Sequence, residues 1–126
     1  MDLLSIFSVT NLALNLFGVI VGIIFGFLPG LSATMGVALV MPFTFGMDSI
    51  SAFALLLGVY CGGIYGGSIT AILIRTPGTP ASAATVLDGY PMTERGQARL
   101  ALSTATIASF WGGLFSCVVL IVGARA

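Results

Sequence analysis

The feature that most constrains this chain is the absence of charge over three long stretches. No Asp, Glu, Lys or Arg occurs between Asp2 and Asp48, between Asp48 and Arg75, or between Arg99 and Arg125. About 20 apolar residues, at a rise of 1.5 Å each, cross the ~30 Å hydrocarbon core of a bilayer, and each stretch exceeds that length. Only 6% of all residues are charged, against roughly 25% in soluble domains. The pattern predicts an all-α, polytopic integral membrane protein.

Four apolar segments are predicted to be helices, and a Pro-Gly pair separates the first two. Pro29 cannot donate a backbone N–H and Gly30 lets the chain turn, so the helix is expected to break there. The surrounding GVIVGIIFGFLPGL has no polar residue. The break therefore lies either inside the membrane, where protein or a wet cavity must satisfy the backbone, or in a tight hairpin at the interface. The predicted segments cover about 11–28, 31–45, 50–74 and 100–123.

The linker 75–99 is the most polar part of the chain. It holds five of the eight charges and three of the five prolines, so it is predicted to meet water. Arg75, Arg95 and Arg99 favour a cytoplasmic location for this linker, because cytoplasmic loops carry an excess of basic residues. Glu94, Arg95 and Arg99 are interpreted as a solvated surface.

Several classes of function are excluded by what the sequence lacks. The net charge is zero and there is no His, so no basic cluster is present for nucleic acid, and His-based metal sites and Ser–His or Cys–His catalysis are ruled out. Cys61 and Cys117 lie in apolar blocks and are predicted to be buried thiols. We therefore expect no metal site, no organic cofactor and no enzymatic activity. The start, MDLLSIF, lacks the basic region of a secretory signal, so the first apolar block is expected to belong to the fold.

Two rows of glycines occur at a spacing of four residues. This spacing places them on one helix face, where they allow the close backbone approach that associates helices in lipid. Both helices are therefore predicted to pack inside a bundle. The first row is Gly18, Gly22, Gly26 and Gly30; the second is Gly58, Gly62 and Gly66, with Gly63 and Gly67 beside it.

The stretch YCGGIYGGSIT, residues 60–70, has two interpretations. Tyr65, Gly67 and Ser68 suit a pliable point whose hydroxyls face a polar path. Alternatively, the segment is a tightly packed helix in which Ser and Thr bond back to the preceding turn, an interpretation at least as strong for Thr70.

Two Pro-Gly breaks follow the two glycine-rich helices and share one pattern. GFLPGLSAT (26–34) contains Pro29, Gly30 and Ser32, and RTPGTPASAAT (75–85) repeats the order Pro, Gly and hydroxyl residue. A helix start has free N–H groups and about half a positive charge, so two such starts can hold a carboxylate without a buried Lys or Arg. The alternative is that both breaks are ordinary turns followed by small-residue helix contacts.

Two acidic residues receive separate predictions. Asp88, in LDGYPM, is the candidate for relaying a proton or a sodium ion, but Asp-Gly followed by Pro91 is also typical of a plain turn. The turn is the favoured alternative. Asp48, in GMDSISAF, is predicted to cap the third helical segment.

The motifs YGGSITAIL, TPGTPASAAT and LDGYPM, in this order and spacing, resemble the N-terminal part of the large permease subunit of tripartite tricarboxylate transporters. The similarity covers nearly the whole chain and is strongest over 18–102. It implies a multi-pass permease of the bacterial inner membrane, working with a small membrane subunit and a periplasmic solute-binding protein. Such systems import carboxylates such as citrate, driven by a sodium or proton gradient.

Two features depart from that resemblance. Arg75 stands where the family has an uncharged residue, often Asn. The chain is also several times shorter than a family member, so 1–126 is expected to be the N-terminal part of a truncated permease that does not transport alone. An alternative is a non-transporting membrane fragment with at most a role in assembly.

The residue patterns and the resemblance together select the candidate path residues. Asp88 is the candidate for ion coupling. The protein is expected to lie in the lipid bilayer, and nucleic acid is not expected to be a partner. The candidates for binding the carboxylate are Pro29, Gly30, Ser32, Tyr65, Gly67, Ser68, Thr76, Pro77, Gly78, Thr79, Pro80 and Ser82.

Overall fold

Two parallel helices, α2 (Val9–Phe27) and α4 (Ser49–Ile74), form the centre of the fold in the computed structural model, which describes residues 3–126. The other helices are α1 (Leu3–Ile6), α3 (Ala33–Val40), α5 (Ala83–Glu94) and α6 (Ala98–Arg125), with 3-10 turns at Met41–Thr44 and Pro80–Ser82. No strand occurs among these residues. Helices α2, α4 and α6 are long and apolar enough to cross a membrane. The predicted all-α, multi-pass membrane architecture is confirmed.

The glycines of α2 and α4 face each other at backbone contact. A Cβ on Gly22 would lie 2.8 Å from the backbone nitrogen of Gly63, and one on Gly58 would clash with the carbonyl of Asn15. Contact partners rise together along both helices, from Gly18 beside Leu55 to Gly26 beside Gly63. The two helices are therefore parallel, and the predicted close packing is confirmed.

Gly30 is not part of this packed face. It lies beyond the end of α2 with φ of 95°, and no atom lies within 4 Å of the position its Cβ would take. Its role is the left-handed turn that follows Pro29, which glycine adopts without steric cost.

Because α2 and α4 are parallel, the segment between them must return along the bundle. Helix α3 does this, since Ala33 touches Gly63 and Gly36 touches Val59, four residues earlier on α4. Ser32 starts the helix by accepting a hydrogen bond from the Met35 N–H at 3.2 Å. Pro42, which lacks an N–H, lies in the 3-10 turn that ends it.

Polar side chains join α2 and α4 at their N-terminal ends. The Ser51 hydroxyl donates to Asn11 Oδ1 at 2.7 Å, and Asn15 Nδ2 donates to the Ala54 carbonyl at 2.8 Å. Asp48 caps α4 by accepting from the Ser51 N–H at 3.4 Å, as predicted. These bonds satisfy polar groups at one end of an otherwise apolar helix pair.

The largest difference from prediction lies in the linker 75–99, of which 83–94 form helix α5. Asp88 and Gly89 lie in the middle of this helix, so the predicted turn at LDGYPM is wrong. Gly89 packs against Ile72, and the Thr93 hydroxyl donates to the Ile72 carbonyl at 2.7 Å. These contacts with α4 hold a helix that local sequence, with Pro91 inside it, does not favour.

Helix α6 begins beside the end of α4 and runs back along it. Arg75, Arg95 and Arg99 therefore lie at one end of the bundle, called here the arginine end, whereas Asp48 lies at the other. Their side chains and that of Glu94 are exposed, as predicted. Cys61 and Cys117 are also exposed, so the prediction of buried thiols is wrong.

Candidate functional site

After α4 the chain turns back toward the middle of the bundle. Arg75 adopts a left-handed conformation with φ of 58° and ends the helix. Three residues later the Gly78 N–H donates to the Gly67 carbonyl at 3.4 Å. Gly67 lies seven residues before Ile74, about 10 Å along α4. The segment 75–82 is therefore a re-entrant limb, from which α5 leads back to the arginine end.

Glycine is required where this limb meets the helix pair. A Cβ on Gly78 would clash with the Gly26 carbonyl and lie 2.7 Å from the Cα of Gly67. A Cβ on Gly67 would lie 2.9 Å from the backbone nitrogen of Thr79. Three glycines, from α2, α4 and the limb, thus meet at one point, and two of them were predicted as candidate path residues.

Thr79 and Ser82 fix the tip of the limb. The Thr79 N–H donates to Ser82 Oγ at 3.3 Å, and the Ser82 hydroxyl donates to the Thr79 carbonyl at 2.8 Å. Both side chains are buried. This reciprocal cap orients the start of the short 3-10 turn that continues into α5.

The two Pro-Gly breaks meet at a common pocket, called here the helix-start pocket. It has a volume of about 250 Å³. No charged side chain of the described residues lines it. Its walls are the start of α3, the start of the 3-10 turn before α5 and one face of α4, formed by Ser32, Ala33, Thr34, Tyr60, Ile64, Thr79, Pro80 and Ala81.

Backbone donors are left free at both helix starts. Within residues 3–126, the N–H groups of Ala33, Thr34 and Ala81 have no hydrogen-bond acceptor. The first N–H groups of a helix point away from it and carry its partial positive charge. The pocket therefore offers donors and positive potential without a cation.

The pocket lies near the middle of α4. Tyr60 and Ile64 flank the midpoint of the 26-residue α4. Helix α4 also continues for eight residues past Gly66, the residue that packs on Gly26, which is about 12 Å. The Pro29–Gly30 turn thus falls short of the arginine end by more than one helical turn.

The structure divides the predicted candidates into three groups. Ser32, Thr79 and Pro80 line the helix-start pocket. The second group shapes the breaks around it: Pro29, Gly30, Thr76 and Pro77 form exposed turns, Gly67 and Gly78 make the close contact, and Ser82 caps Thr79. The third group, Tyr65, Ser68 and Asp88, lies on another side of α4.

Tyr60, Thr34 and Ala81 line the pocket but were absent from the predicted set. Tyr60 lies one helical turn before Ile64, so it shares the pocket-facing side of α4, and Tyr65 does not. That spacing was readable in the sequence. What the sequence did not show is which face of α4 the two breaks approach.

A second cleft, called here the Asp88 cleft, lies between α4, α5 and α6 and has a volume of about 330 Å³. Its polar lining consists of hydroxyl groups and one carboxylate. Most of its apolar lining consists of Ile72, Met92 and three alanines. The polar residues are Ser68, Thr85, Asp88, Thr104 and Ser109.

Two other residues singled out by sequence have structural partners. The Thr70 hydroxyl donates to the Gly67 carbonyl at 2.9 Å, which confirms the bond to the preceding turn. Arg75 lies 5.7 Å from the ring centroid of Tyr90, in a groove formed with α5. Arg75 therefore marks the arginine end and does not line the helix-start pocket.

Tyr65 connects α4 to α6, since its hydroxyl pairs with Thr106 Oγ1 at 2.5 Å. We expect Tyr65→Phe to lower the free energy of unfolding by about 0.6–1.7 kcal/mol, the range for hydrogen bonds between membrane helices. Unfolding in detergent with increasing SDS, followed by circular dichroism, measures this. The control is Tyr60→Phe, because Tyr60 has no such bond within residues 3–126. Equal stability of both variants would contradict the assignment.

Parallel glycine-packed helices and three helices long enough to cross a bilayer define a polytopic membrane protein, and a re-entrant limb with two broken helices around one pocket is a feature found in secondary transporters. The chain belongs to the tripartite tricarboxylate transporter TctA family, whose model matches residues 12–126. It is also 39% identical, over 132 aligned positions, to an uncharacterized 52.8 kDa protein in the TAR-I ttuC' 3' region of Agrobacterium vitis. That alignment covers 98% of this chain and 26% of the relative, so the chain spans about a quarter of its length. No solved structure matches the chain.

Proposed function

We propose that this chain forms the carboxylate-binding part of the permease of an ion-gradient-driven tripartite uptake system, and that a citrate-like carboxylate is held in the helix-start pocket. The observation that carries the proposal is the convergence of two helix starts, with three free backbone N–H groups, on one pocket. Discontinuous helices in secondary transporters hold anionic groups of the substrate in this way.

The size and polarity of the pocket favour a small anion. Its volume of about 250 Å³ is below the ~300–1,000 Å³ of pockets for drug-sized ligands. The Tyr60 and Thr34 hydroxyls supply further donors beside the free N–H groups. Family membership supports the carboxylate as substrate, and it also supports a small membrane subunit and a periplasmic binding protein as partners in the inner membrane of a bacterium.

Charge reversal at Ala81 tests this site. Ala81 is exposed at the start of the turn before α5, where an acidic side chain is compatible with a helix start. We expect Ala81→Asp to leave folding intact and to lower citrate uptake at least about tenfold, because its carboxylate repels the substrate and competes for the free N–H groups. Uptake of radiolabelled citrate is measured in cells that express the complete permease and its partner subunits.

The matched control is Ala81→Asn, which has the same shape without the charge and is expected to retain uptake within about twofold. Equal uptake by the Asp and Asn variants would overturn the assignment of the pocket. Loss of uptake in both would show that side-chain size, and not charge, matters at this position, which also contradicts an anion site.

A further inference from the structure

The re-entrant limb covers α4 on the side of the helix-start pocket that faces the arginine end. Four residues follow one another along one face of α4, three or four positions apart: Tyr60, Ile64, Gly67 and Ala71. Tyr60 is 46% exposed and lines the pocket together with Ile64. Gly67 lies under Thr79 of the limb, and Ala71 is 0% exposed. The limb therefore lies over α4 between the pocket and the arginine end.

Few hydrogen bonds hold the limb against α4. Among the described residues, two join 76–82 to this helix, and both measure 3.4 Å. One runs from the Thr76 hydroxyl to the Ile74 carbonyl at the base of the limb, and the other from the Gly78 N–H to the Gly67 carbonyl near its tip. The usual N–H···O distance is about 2.7–3.2 Å. The tip is thus held by close backbone packing and one long hydrogen bond.

The tip of the limb is bonded within itself. Thr79 is 6% exposed and Ser82 is 1% exposed, so both need partners for their polar groups. They satisfy each other, through the Thr79 N–H to Ser82 Oγ and the Ser82 hydroxyl to the Thr79 carbonyl. Movement of the tip away from α4 would leave these bonds intact. The tip can therefore move as one unit.

The segments at the two ends of the limb set the limits of such a movement. Arg75 has a left-handed φ of 58° at the end of α4, and residues at the ends of helices commonly act as hinges. Helix α5, which follows the limb, is fixed to α4 by the Thr93 hydroxyl, which donates to the Ile72 carbonyl at 2.7 Å, and by the contact of Gly89 with Ile72. The segment that can move thus lies between Arg75 and the start of α5.

From these contacts we infer that the re-entrant limb is a gate. In the conformation described here it closes the helix-start pocket toward the arginine end. It opens the pocket toward that end by moving off Gly67, with hinges at Arg75 and at the start of α5. The role of the gate in releasing a carboxylate rests on the proposed function. Its movement does not, because movement is measurable without substrate or partner subunits.

The accessibility of engineered thiols tests the gate, with a reporter under the limb and a control under α5. Thr70 is 1% exposed, and its hydroxyl oxygen lies 3.0 Å from the position of a Cβ on Gly78. Ile72 is 2% exposed and lies against Gly89 of α5. The two residues are almost equally buried in one helix. Movement of the limb alone uncovers Thr70 and leaves Ile72 covered.

Thr70→Cys and Ile72→Cys are made in the 126-residue chain carrying Cys61→Ala and Cys117→Ala, since both native thiols are exposed. Labelling by a water-soluble maleimide is followed in detergent without citrate. Thr70→Cys is expected to react at least about tenfold faster than Ile72→Cys, because weakly bonded segments open locally more often than packed helices do. Adding Gly78→Ala, which forces the limb away from α4, is expected to raise the rate for Thr70→Cys further and leave that for Ile72→Cys unchanged.

A second reporter keeps the test valid if Thr70→Cys does not fold. Ser82→Cys places the thiol on the limb itself, at a buried position, and is also expected to react at least about tenfold faster than Ile72→Cys. Equal labelling of the reporters and of Ile72→Cys, or an equal rise of all rates with Gly78→Ala, would overturn the inference. Selective labelling of the reporters in a protein that fails to take up citrate would reject the proposed function and leave the moving limb standing.

Discussion

Gly22→Ala is expected to destabilise the protein by about 1–3 kcal/mol, although alanine is a better helix former than glycine by about 1 kcal/mol. The added Cβ would lie 2.8 Å from both the Gly63 nitrogen and the Val59 carbonyl carbon. Both are backbone atoms of α4, so no side chain can rotate away. The helices must separate, which opens the contacts that Gly18 and Gly26 make on either side. Unfolding by SDS, followed by circular dichroism, gives the free-energy change.

The control for this substitution lies in the same chain. Gly113 is also inside a helix, α6, but no atom lies within 4 Å of the position its Cβ would take. Gly113→Ala is therefore expected to be neutral or slightly stabilising through helix propensity alone. The two substitutions are chemically identical, and only Gly22→Ala is expected to destabilise the protein. A neutral Gly22→Ala would mean that α2 and α4 do not pack through this glycine face.

The glycine spacing was enough to predict that α2 and α4 each pack closely inside a bundle, because a spacing of four determines a helix face; that they pack against each other is a finding of the structure. The spacing could not give their direction, since such faces pack in either orientation and the choice depends on the path between them. Here that path is α3 followed by the 3-10 turn that contains Pro42. The parallel direction is what places both Pro-Gly breaks toward the same end of the bundle.

Helix α5 shows where local signals failed. Asp88, Gly89 and Pro91 are typical of turns, and charge around them suggested a solvated linker. In the folded chain the lack of a side chain at Gly89 allows contact with Ile72, and Thr93 bonds to the carbonyl of the same residue. The contact partner lies 17 residues earlier on another helix, so no local pattern could reveal it.

The likeness between GFLPGLSAT and RTPGTPASAAT predicted two related helix breaks, and the structure brings their helix starts to one pocket. Which residues line that pocket depends on the tertiary structure. Tyr60 lines it and Tyr65 bonds to α6, although both belong to one glycine-rich segment. The sequence predicts which side chains share a face of α4. It does not predict which other helix packs against that face.

Gly78→Ala is expected to abolish most carboxylate uptake while the α2–α4 pair remains folded. The φ of Gly78 is not left-handed, so alanine brings no backbone strain and the effect is purely steric. Its Cβ would clash with the Gly26 carbonyl and lie 3.0 Å from the Thr70 hydroxyl. The limb must then move away from α4, which carries the Ala81 N–H away from the start of α3. Losing one charge-assisted hydrogen bond costs about 1.5–3 kcal/mol, or roughly ten- to a hundredfold in affinity.

The measurement is radiolabelled citrate uptake by the complete permease, with circular dichroism of the purified variant to follow helix content. Gly112→Ala is the control, because its Cβ meets nothing within 4 Å, and uptake is expected to stay unchanged. Normal uptake by Gly78→Ala would show that the two helix starts need not be held together for transport. The two glycine substitutions are expected to change different properties. Gly22 lies between two continuous helices, so its substitution changes the stability of the protein. Gly78 lies where the re-entrant limb meets those helices, so its substitution changes the geometry of the helix-start pocket.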